Sequence, residues 1–309
     1  MASVNVTSNY NGDVADALIS LTVLGNQAVE KGSVYVQAGI QDKLAMPRFN
    51  AALDQLQARQ ENPDAPSDSF TWDERILEPS DAMFYDLVNP RNMEAVWRPW
   101  QPVGPLVDRV SNPAMQAAII EETMKSVGNQ LGKLIWQGDT LSGDPTLVFF
   151  DGFLKILEAD GAINPTPAGA ITEANVLSIL DSSVTAIPDS IYEDANTVIH
   201  MSTTDARHYE AASRSLDFKG NAIDERGNMR YAGFEIRSYT GMAKDKIAIT
   251  KSTAGKDSNL WAGVDVAGDE DNVKIERYRP ESEQFIVKTL FKYGTQIGNP
   301  TEAVLYLPA

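Results

Sequence analysis

Residues 112–139 read NPAMQAAIIEETMKSVGNQLGKLIWQGD, and the fold turns on how this stretch is read. Asn112 is a residue type that caps helices, and Pro113 suits the first helical position, where a missing N–H costs nothing. Glu121 and Glu122 follow. Ile120, Met124, Val127, Leu131 and Leu134 then recur at steps of 4, 3, 4 and 3. That spacing gathers one apolar stripe on a helix. Gly138 stands where such a helix should stop. About 25 residues at 1.5 Å each predict a rod of roughly 37 Å. Gly128 and Gly132 lie inside it, each costing up to ~1 kcal/mol relative to Ala. They are tolerable if another backbone packs closely there.

Working outward toward the C-terminus, a short helix is predicted to begin near Asp151, with Phe153, Leu154, Ile156 and Leu157 behind it. A further helix runs from about Thr172 to Ile187. Val176, Leu180, Val184 and Ile187 share its buried face, and Pro188 stops it. Thr197–Met201 reads as a buried strand and Ser202–Arg214 as a capped helix. From Met229 the chain is mainly β, with strands predicted at Tyr231–Ser238, Lys246–Thr250, Val273–Tyr278, Phe285–Phe291 and Ala303–Leu307. Helices and strands are segregated rather than alternating, which predicts an α+β fold.

Toward the N-terminus the character changes. Residues 1–46 read as an arm with little core of its own, with a short helical stretch near Val14–Val29 and a strand-like Ser33–Val36. Such an arm either stays mobile or is ordered by lying on a neighbour. Residues 47–106 read as an extended loop region. They run from a Gln-rich, charged stretch (Asn50–Glu61) through a turn cluster (Asn62–Ser69) to a strand start at Phe70-Thr71-Trp72. Trp97, Pro99, Trp100, Pro102 and Gly104 exclude a regular helix. They suggest a rigid extended segment, packed either within the chain or against another subunit.

The 309 residues are long enough for roughly two domains. The charge balance is lopsided: 26 Lys and Arg against 43 Asp and Glu give −17. Such a surface repels nucleic acid over most of its area and holds free subunits apart. There is no cysteine, which excludes disulfides and thiolate metal sites. The first thirty residues hold no Lys or Arg, unlike a secretory signal. Without a signal, the acceptor pattern Asn5-Val6-Thr7 carries no weight. No apolar run reaches the length of a membrane span.

The search for reactive chemistry is nearly empty, and no catalytic, cofactor-binding or metal residue is assigned. The two histidines, His200 in a predicted strand and His208 on a short helix, read as structural or surface residues. No His pair stands at metal-ligand spacing. There is no nucleophile elbow, P-loop or dinucleotide fingerprint. Asp265, Asp269, Glu270 and Asp271 do not match a calcium loop and read as a solvated turn. Glu121 with Glu122, and Asp73 with Glu74, are adjacent residues that point different ways, so they are poor acid–base pairs. Lys251, Lys256, Arg277 and Arg279 come nearest to a basic patch, and acids surround them.

The order of parts resembles the tailed-bacteriophage major capsid protein family, with the HK-97-like fold. An arm and an extended loop precede the long helix with its exit Leu134-Ile135-Trp136-Gln137-Gly138-Asp139, similar to the family's spine helix. Asp151-Gly152-Phe153-Leu154 looks like the short helix after it. The helix from Thr172, the strand with Ile199 and Met201, and the helix from Thr204 resemble the run into an axial domain. Tyr231-Ala232-Gly233-Phe234-Glu235-Ile236 and Asn259-Leu260-Trp261-Ala262-Gly263-Val264-Asp265 resemble strands of that domain. Val273-Lys274-Ile275-Glu276-Arg277 and Phe285–Gly294 look like the sheet returning to the peripheral domain.

The resemblance implies a division into arm (1–46), extended loop (47–106), peripheral domain (107–190), axial domain (191–270) and returning strands (271–309). It implies a non-enzymatic shell subunit that assembles into hexamers and pentamers in the host bacterial cytoplasm. The shell encloses double-stranded DNA without sequence-specific binding, and no cofactor or membrane is involved. The arm is too short to be an internal scaffold, so a separate scaffolding protein is implied, with a portal protein and possible cement or decoration proteins. The Lys and Asn that cross-link some members have no match here, so no isopeptide bond is expected. The alternatives are an encapsulin-type nanocompartment shell packaging an enzyme cargo, and an unrelated acidic enzyme or adhesin.

Overall fold

The computed structural model describes residues 27–51, 59, 61, 70–89, 103–105, 113–165, 169–215, 229–265, 273–280 and 282–308. Its elements begin with a one-turn helix α1 (Gln27–Glu30) and a strand β1 (Tyr35–Gln37). Next come β2 (Leu44–Ala51), β3 (Phe70–Leu77) and β4 (Ser80–Val88). Helices α2 (Pro113–Gln137), α3 (Phe153–Ala159), α4 (Val176–Thr185) and α5 (Asp189–Tyr192) follow. They lead to β5 (Thr197–Ser202), α6 (Thr203–Ser215), β6 (Arg230–Tyr231) and β7 (Phe234–Tyr239). The chain ends with β8 (Ile247–Lys251), β9 (Leu260–Val264), β10 (Val273–Arg277), β11 (Phe285–Ile297) and β12 (Ala303–Tyr306). The fold is α+β, as the segregation of elements predicts.

Helix α2 starts at Pro113 and runs 25 residues. Its stripe is buried at Ile120, Val127, Leu131 and Leu134, and widens at the C-terminal end to take in Ile135 and Trp136. The side chain of Met124 and the cap Asn112 lie outside the described residues. Gly138 does end the helix, but through crowding rather than a left-handed turn. A Cβ there would overlap the Phe150 carbonyl and lie 2.7 Å from the Leu134 oxygen. Gly152 crosses at this point, donating its N–H to the Gly138 oxygen at 2.8 Å, and a Cβ on Gly152 would lie 2.7 Å from the Gly138 nitrogen. The close backbone expected near Gly132 is Gly241: a Cβ on Gly241 would overlap the Gly132 carbonyl and lie 2.8 Å from the Lys133 nitrogen.

The sheet β12-β8-β5-β7-β6 is buried on both faces. One face packs against the end of α2 and α3 through Tyr239, Ala248 and Leu305. The other packs against α4 and α6 through Ile199, Ile236, Ile247, Ile249, Val304 and Tyr306. The alternation along β8 and β12 therefore feeds two cores rather than one core and solvent. Burying each such aliphatic side chain contributes about 1.5–3 kcal/mol. Helix α6 begins as a capped helix, with Ser202 Oγ accepting the Asp205 N–H at 3.1 Å and donating to its carboxylate at 2.8 Å.

A second sheet has the order β1-β9-β11-β10, with β4 also paired to β11. A third small cluster joins Ile120 of α2 to Ile275, Phe285 and Val287 of this sheet. Strands β2 and β3 form a separate two-stranded ribbon, with Pro47 in β2 opposite Glu74.

Several expectations are corrected. Tyr231–Ser238 is not one strand: Ala232 and Gly233 both have positive φ (49° and 93°) and turn the chain between β6 and β7. Two such residues make the tight hairpin loop that matches strand twist. The strand from Phe285 continues through Gly294 to Ile297, where it pairs with β9, and a Cβ at Gly294 would lie 2.7 Å from the Glu78 oxygen. The arm expectation is corrected from Gln27 onward. Ala28, Val34 and Ile40 are buried in the chain's own core, and β1 lies parallel to β9. Most of the helical stretch near Val14–Val29 lies outside the described residues.

Candidate functional site

Among the described residues the titratable groups do not assemble into a reactive centre. His200 sits on β5, fully buried, its Nδ1 3.0 Å from the Tyr239 hydroxyl. Burial, and secondarily the Arg237 guanidinium, push its pKa down to about 3. It is a neutral core imidazole, packed at a tilt against Trp136 and Tyr239 with centroid distances of 5.3 and 5.6 Å. Its Nε2 has no hydrogen-bond partner among the described residues. Burial likewise raises the Tyr239 phenol above its ordinary value. His208 is half-buried on α6.

The carboxylates are equally unpromising for catalysis. Glu121 is exposed and paired with Lys125 at 2.7 Å, one helical turn away. Asp73 pairs with Arg48 across the β2–β3 ribbon. Burial raises the pKa of Asp205, which bonds Ser202 and the Asp245 N–H and serves as a capping group. Of the acidic run, Asp265 is described, whereas Asp269, Glu270 and Asp271 lie outside the described residues, as do Asn5 to Thr7. Among the described residues no cluster of three or more His, Cys, Asp or Glu could hold a metal ion. Nor is any helix there long and apolar enough to cross a membrane.

The basic residues stay apart. Lys251, at the end of β8, is held by Asp194 at 2.8 Å, which keeps its pKa up and that of Asp194 down. Arg277 lies at the end of β10 in the other sheet, and Arg279 stacks over Tyr278. No stripe of cations forms from the four residues considered for nucleic acid.

What the geometry does present is apolar surface suited to protein contact. Met83, Tyr85 and Leu87 alternate along one face of β4, all exposed, and Leu290 of β11 stands opposite Met83. The opposite face of these strands is turned inward, with Ala82 and Val287 buried. Trp72 and Ile76 are exposed on β3, and Leu141, 84% exposed, stands in the loop between α2 and α3. That loop is held by its own hydrogen bonds: Asp151 accepts from Thr140 N and Oγ1, Asp139 from Leu141 N, and Asp144 from Thr146 N and Oγ1.

Among the described residues the β2–β3 ribbon is held to the rest of the chain through Arg48, Arg75 and Ile76. Arg75 pairs with Asp160 at the end of α3 and donates to Gln296 Oε1 at 2.9 Å, while Gln296 Nε2 donates to the Ile76 carbonyl at 2.6 Å. Arg48 reaches the Gly298 oxygen. A two-stranded ribbon is marginal by itself, so this one gains from any surface laid against it. Its tip, Asn62–Ser69, lies outside the described residues, as do Trp97, Pro99, Trp100 and Pro102.

Sequence reading missed Met83, Tyr85, Leu87 and Leu290. Their neighbours Ala82, Phe84 and Val88 are apolar too, so no alternation marks the outer face. Leu141 carried no periodic signal at all.

No protein-family model and no curated protein matches the chain. Solved structures do match it. A chain of the satellite phage P4 procapsid, solved with its size determination protein, is 13% identical with a TM-score of 0.59, covering 98% of this chain and 93% of that one. A chain of the capsid of a native GTA particle is 12% identical with a TM-score of 0.57, over 92% and 97%. The virus-like particle from Pyrococcus furiosus is 12% identical with a TM-score of 0.51, over 96% and 100%. At such identities the likeness is one of fold, and it takes in nearly the whole of each chain.

Proposed function

We propose that this chain, whose fold is the HK-97-like α+β capsid fold, is the major capsid protein of a tailed bacteriophage. The observation that carries the reading is the near-complete mutual coverage with shell-forming chains, 98% of this chain and 93% of the P4 procapsid chain. The exposed apolar face of β4 and the two-stranded β2–β3 ribbon support it, since both suit contact with further copies.

In this reading the chain assembles as hexamers and pentamers into an icosahedral shell around double-stranded DNA. Residues 47–106 form the extended loop, 107–190 the peripheral domain, 191–270 the axial domain and 271–309 the returning strands. Residues 1–46 form the arm, docked on its own subunit from Gln27. A separate scaffolding protein and a portal protein act in assembly in the host cytoplasm, and decoration proteins are compatible with the exposed surface. The subunit's role is structural rather than enzymatic. The net charge of −17 favours an inner wall over which DNA slides.

The Pyrococcus furiosus match supports a second reading, a nanocompartment shell that holds an enzyme cargo in place of a genome. Negative-stain microscopy of the purified protein tests what the two share: closed shells, tubes or hexameric rings are expected, and a stable monomer with catalytic turnover overturns both. Particles isolated from producing cells separate them. Nuclease-protected double-stranded DNA fits the capsid, and a stoichiometric protein cargo without DNA fits the compartment.

A further inference from the structure

The sheet that carries β4, β11 and β10 packs one face against α2, where Ile275, Phe285 and Val287 meet Ile120. The strand register sets out what stands on the other face. Leu87, Ile286 and Glu276 form one row, Tyr85, Lys288 and Lys274 the next, and Met83 and Leu290 a third. Ile286 and Lys288 are half-buried, and the other six are exposed. Two lysines directly opposite each other on a sheet repel. Among the described residues neither Lys274 nor Lys288 forms an ion pair, in a chain where acids outnumber bases 43 to 26. Lys292, in the row beyond Leu290, does pair, with Asp81 at 3.7 Å. The face therefore fits an apolar segment that brings carboxylates and no cation.

Residues 13–24, DVADALISLTVL, have that chemistry. On a helix Val14, Ala17, Leu18 and Leu21 gather into one stripe. Asp13 and Asp16 stand beside it, and residues 1–26 hold no Lys or Arg. Sizes agree as well. Twelve helical residues are about 18 Å long and about 10 Å thick. The three rows run about 14 Å along the strands, and the three strands are about 10 Å across.

The same segment is tied too short to cover this face on its own subunit. Gln27 donates no freedom to it: its Oε1 accepts the Thr240 N–H at 2.9 Å, and it lies beside Gly128 and Gly132 of α2. A helix on the open face would stand two layer spacings from α2, about 20 Å. The three steps from Leu24 to Gln27 span at most about 11 Å.

We infer that residues 13–24 of one copy lie on the β4–β11–β10 face of a second copy, with Asp13 and Asp16 meeting Lys274 and Lys288. The apolar stripe covers Met83, Leu87 and Leu290, and the carboxylates relieve the lysine pair. The inference rests on the reading that copies of this chain assemble, and it names one contact by which they do so.

The chain has no cysteine, so a disulfide between full-length chains reports the contact. A chain with Ala17→Cys is mixed with one carrying Met83→Cys under mild oxidation. Glu210→Cys, exposed on α6, is the control away from the face. The expected yield of mixed dimer with Met83→Cys is at least tenfold above that with Glu210→Cys. Adding Lys274→Glu and Lys288→Glu to the Met83→Cys chain should lower it at least tenfold. Adding Asp13→Lys and Asp16→Lys to the Ala17→Cys chain should then restore it, which also shows that the altered face is folded. Equal yields at the two sites overturn the docking. A yield indifferent to the lysine changes, or a loss that the reversed charges do not restore, overturns the pairing. A chain with both cysteines that closes on itself as a monomer refutes the second copy as host. Shells or rings that form without the cross-link overturn this contact and leave the assembly reading standing, whereas chains that stay monomeric overturn both.

Discussion

His200 makes the subunit's stability depend on pH in a way that one substitution isolates. Its imidazole is fully buried between Tyr239 and Trp136, and its pKa is held down to about 3 by burial and by Arg237. In the unfolded chain it returns to roughly 6.5. Above that value the ring is neutral in both states and contributes no pH dependence. Between about 6.5 and 3 the unfolded chain takes up a proton that the folded one refuses, so stability falls as pH falls, by about 1.4 kcal/mol per unit. From pH 6.5 to 4.5 the loss is about 2 kcal/mol, a sizeable part of a typical domain's ~5–15 kcal/mol. The folded state takes up the proton near pH 3, and the loss levels off there. His200→Gln keeps a partner for the Tyr239 hydroxyl and cannot titrate. Urea unfolding of both proteins from pH 7 to 4.5 reads the difference. Exposed carboxylates, and Asp205 with its raised pKa, titrate alike in both proteins and cancel. The stability advantage of wild type over variant should shrink by about 2.5 kcal/mol across that range. Two curves that stay parallel would refute the reasoning.

Three further outcomes follow from the packing and the charge. Gly241→Ala puts a Cβ 2.8 Å from the Lys133 nitrogen and into the Gly132 carbonyl, so the turn after β7 must lift off α2. Thermal unfolding should show a loss of about 2–4 kcal/mol, and an unchanged melting temperature would mean the two backbones do not touch. Leu131→Asp places a carboxylate in the buried stripe of α2, where Leu131 is 2% exposed. At least about 3 kcal/mol should be lost, read by denaturant titration. Assembly followed by light scattering should speed up as salt rises from low to moderate concentration. The Debye length shrinks from about 10 Å at 0.1 M toward about 3 Å at 1 M, screening subunits that each carry −17. Assembly fastest at low salt would mean that attractive ion pairs rule the contacts.

The parts legible in the sequence were those where one periodicity ruled. The steps of 4 and 3 from Ile120 to Leu134 gave α2, and Pro113 gave its start. Val176, Leu180 and Val184 gave the inner face of α4, and the apolar Thr197–Met201 gave β5. What stayed hidden depended on contacts distant in the chain. Strands β2 and β4 escaped because one carries Pro47 and Arg48 while the other has apolar residues on both faces. The arm's docking rests on Ser33, whose partners lie more than two hundred positions away. The absence of assigned catalytic residues was a reading of missing motifs. The contact surface around Met83 and Leu290 needed the β4–β11 register to bring its members together.

The crossing of Gly138 and Gly152 has a use beyond ending a helix. It clasps both ends of the intervening loop at one point, with neither backbone able to accept a Cβ. Asp139 N bonding the Leu147 oxygen at 2.9 Å adds a second clasp inside the first. Among the described residues nothing lies within 4 Å of a Cβ placed on Gly143, and Leu141 is exposed. Strain introduced at the tip therefore stops at the clasps, before it reaches α2 or α3. Exposed tips of this kind are where foreign segments are best tolerated. An epitope or affinity tag grafted between Leu141 and Gly143 would be carried by a subunit that folds as before, which makes this loop a natural platform for peptide display.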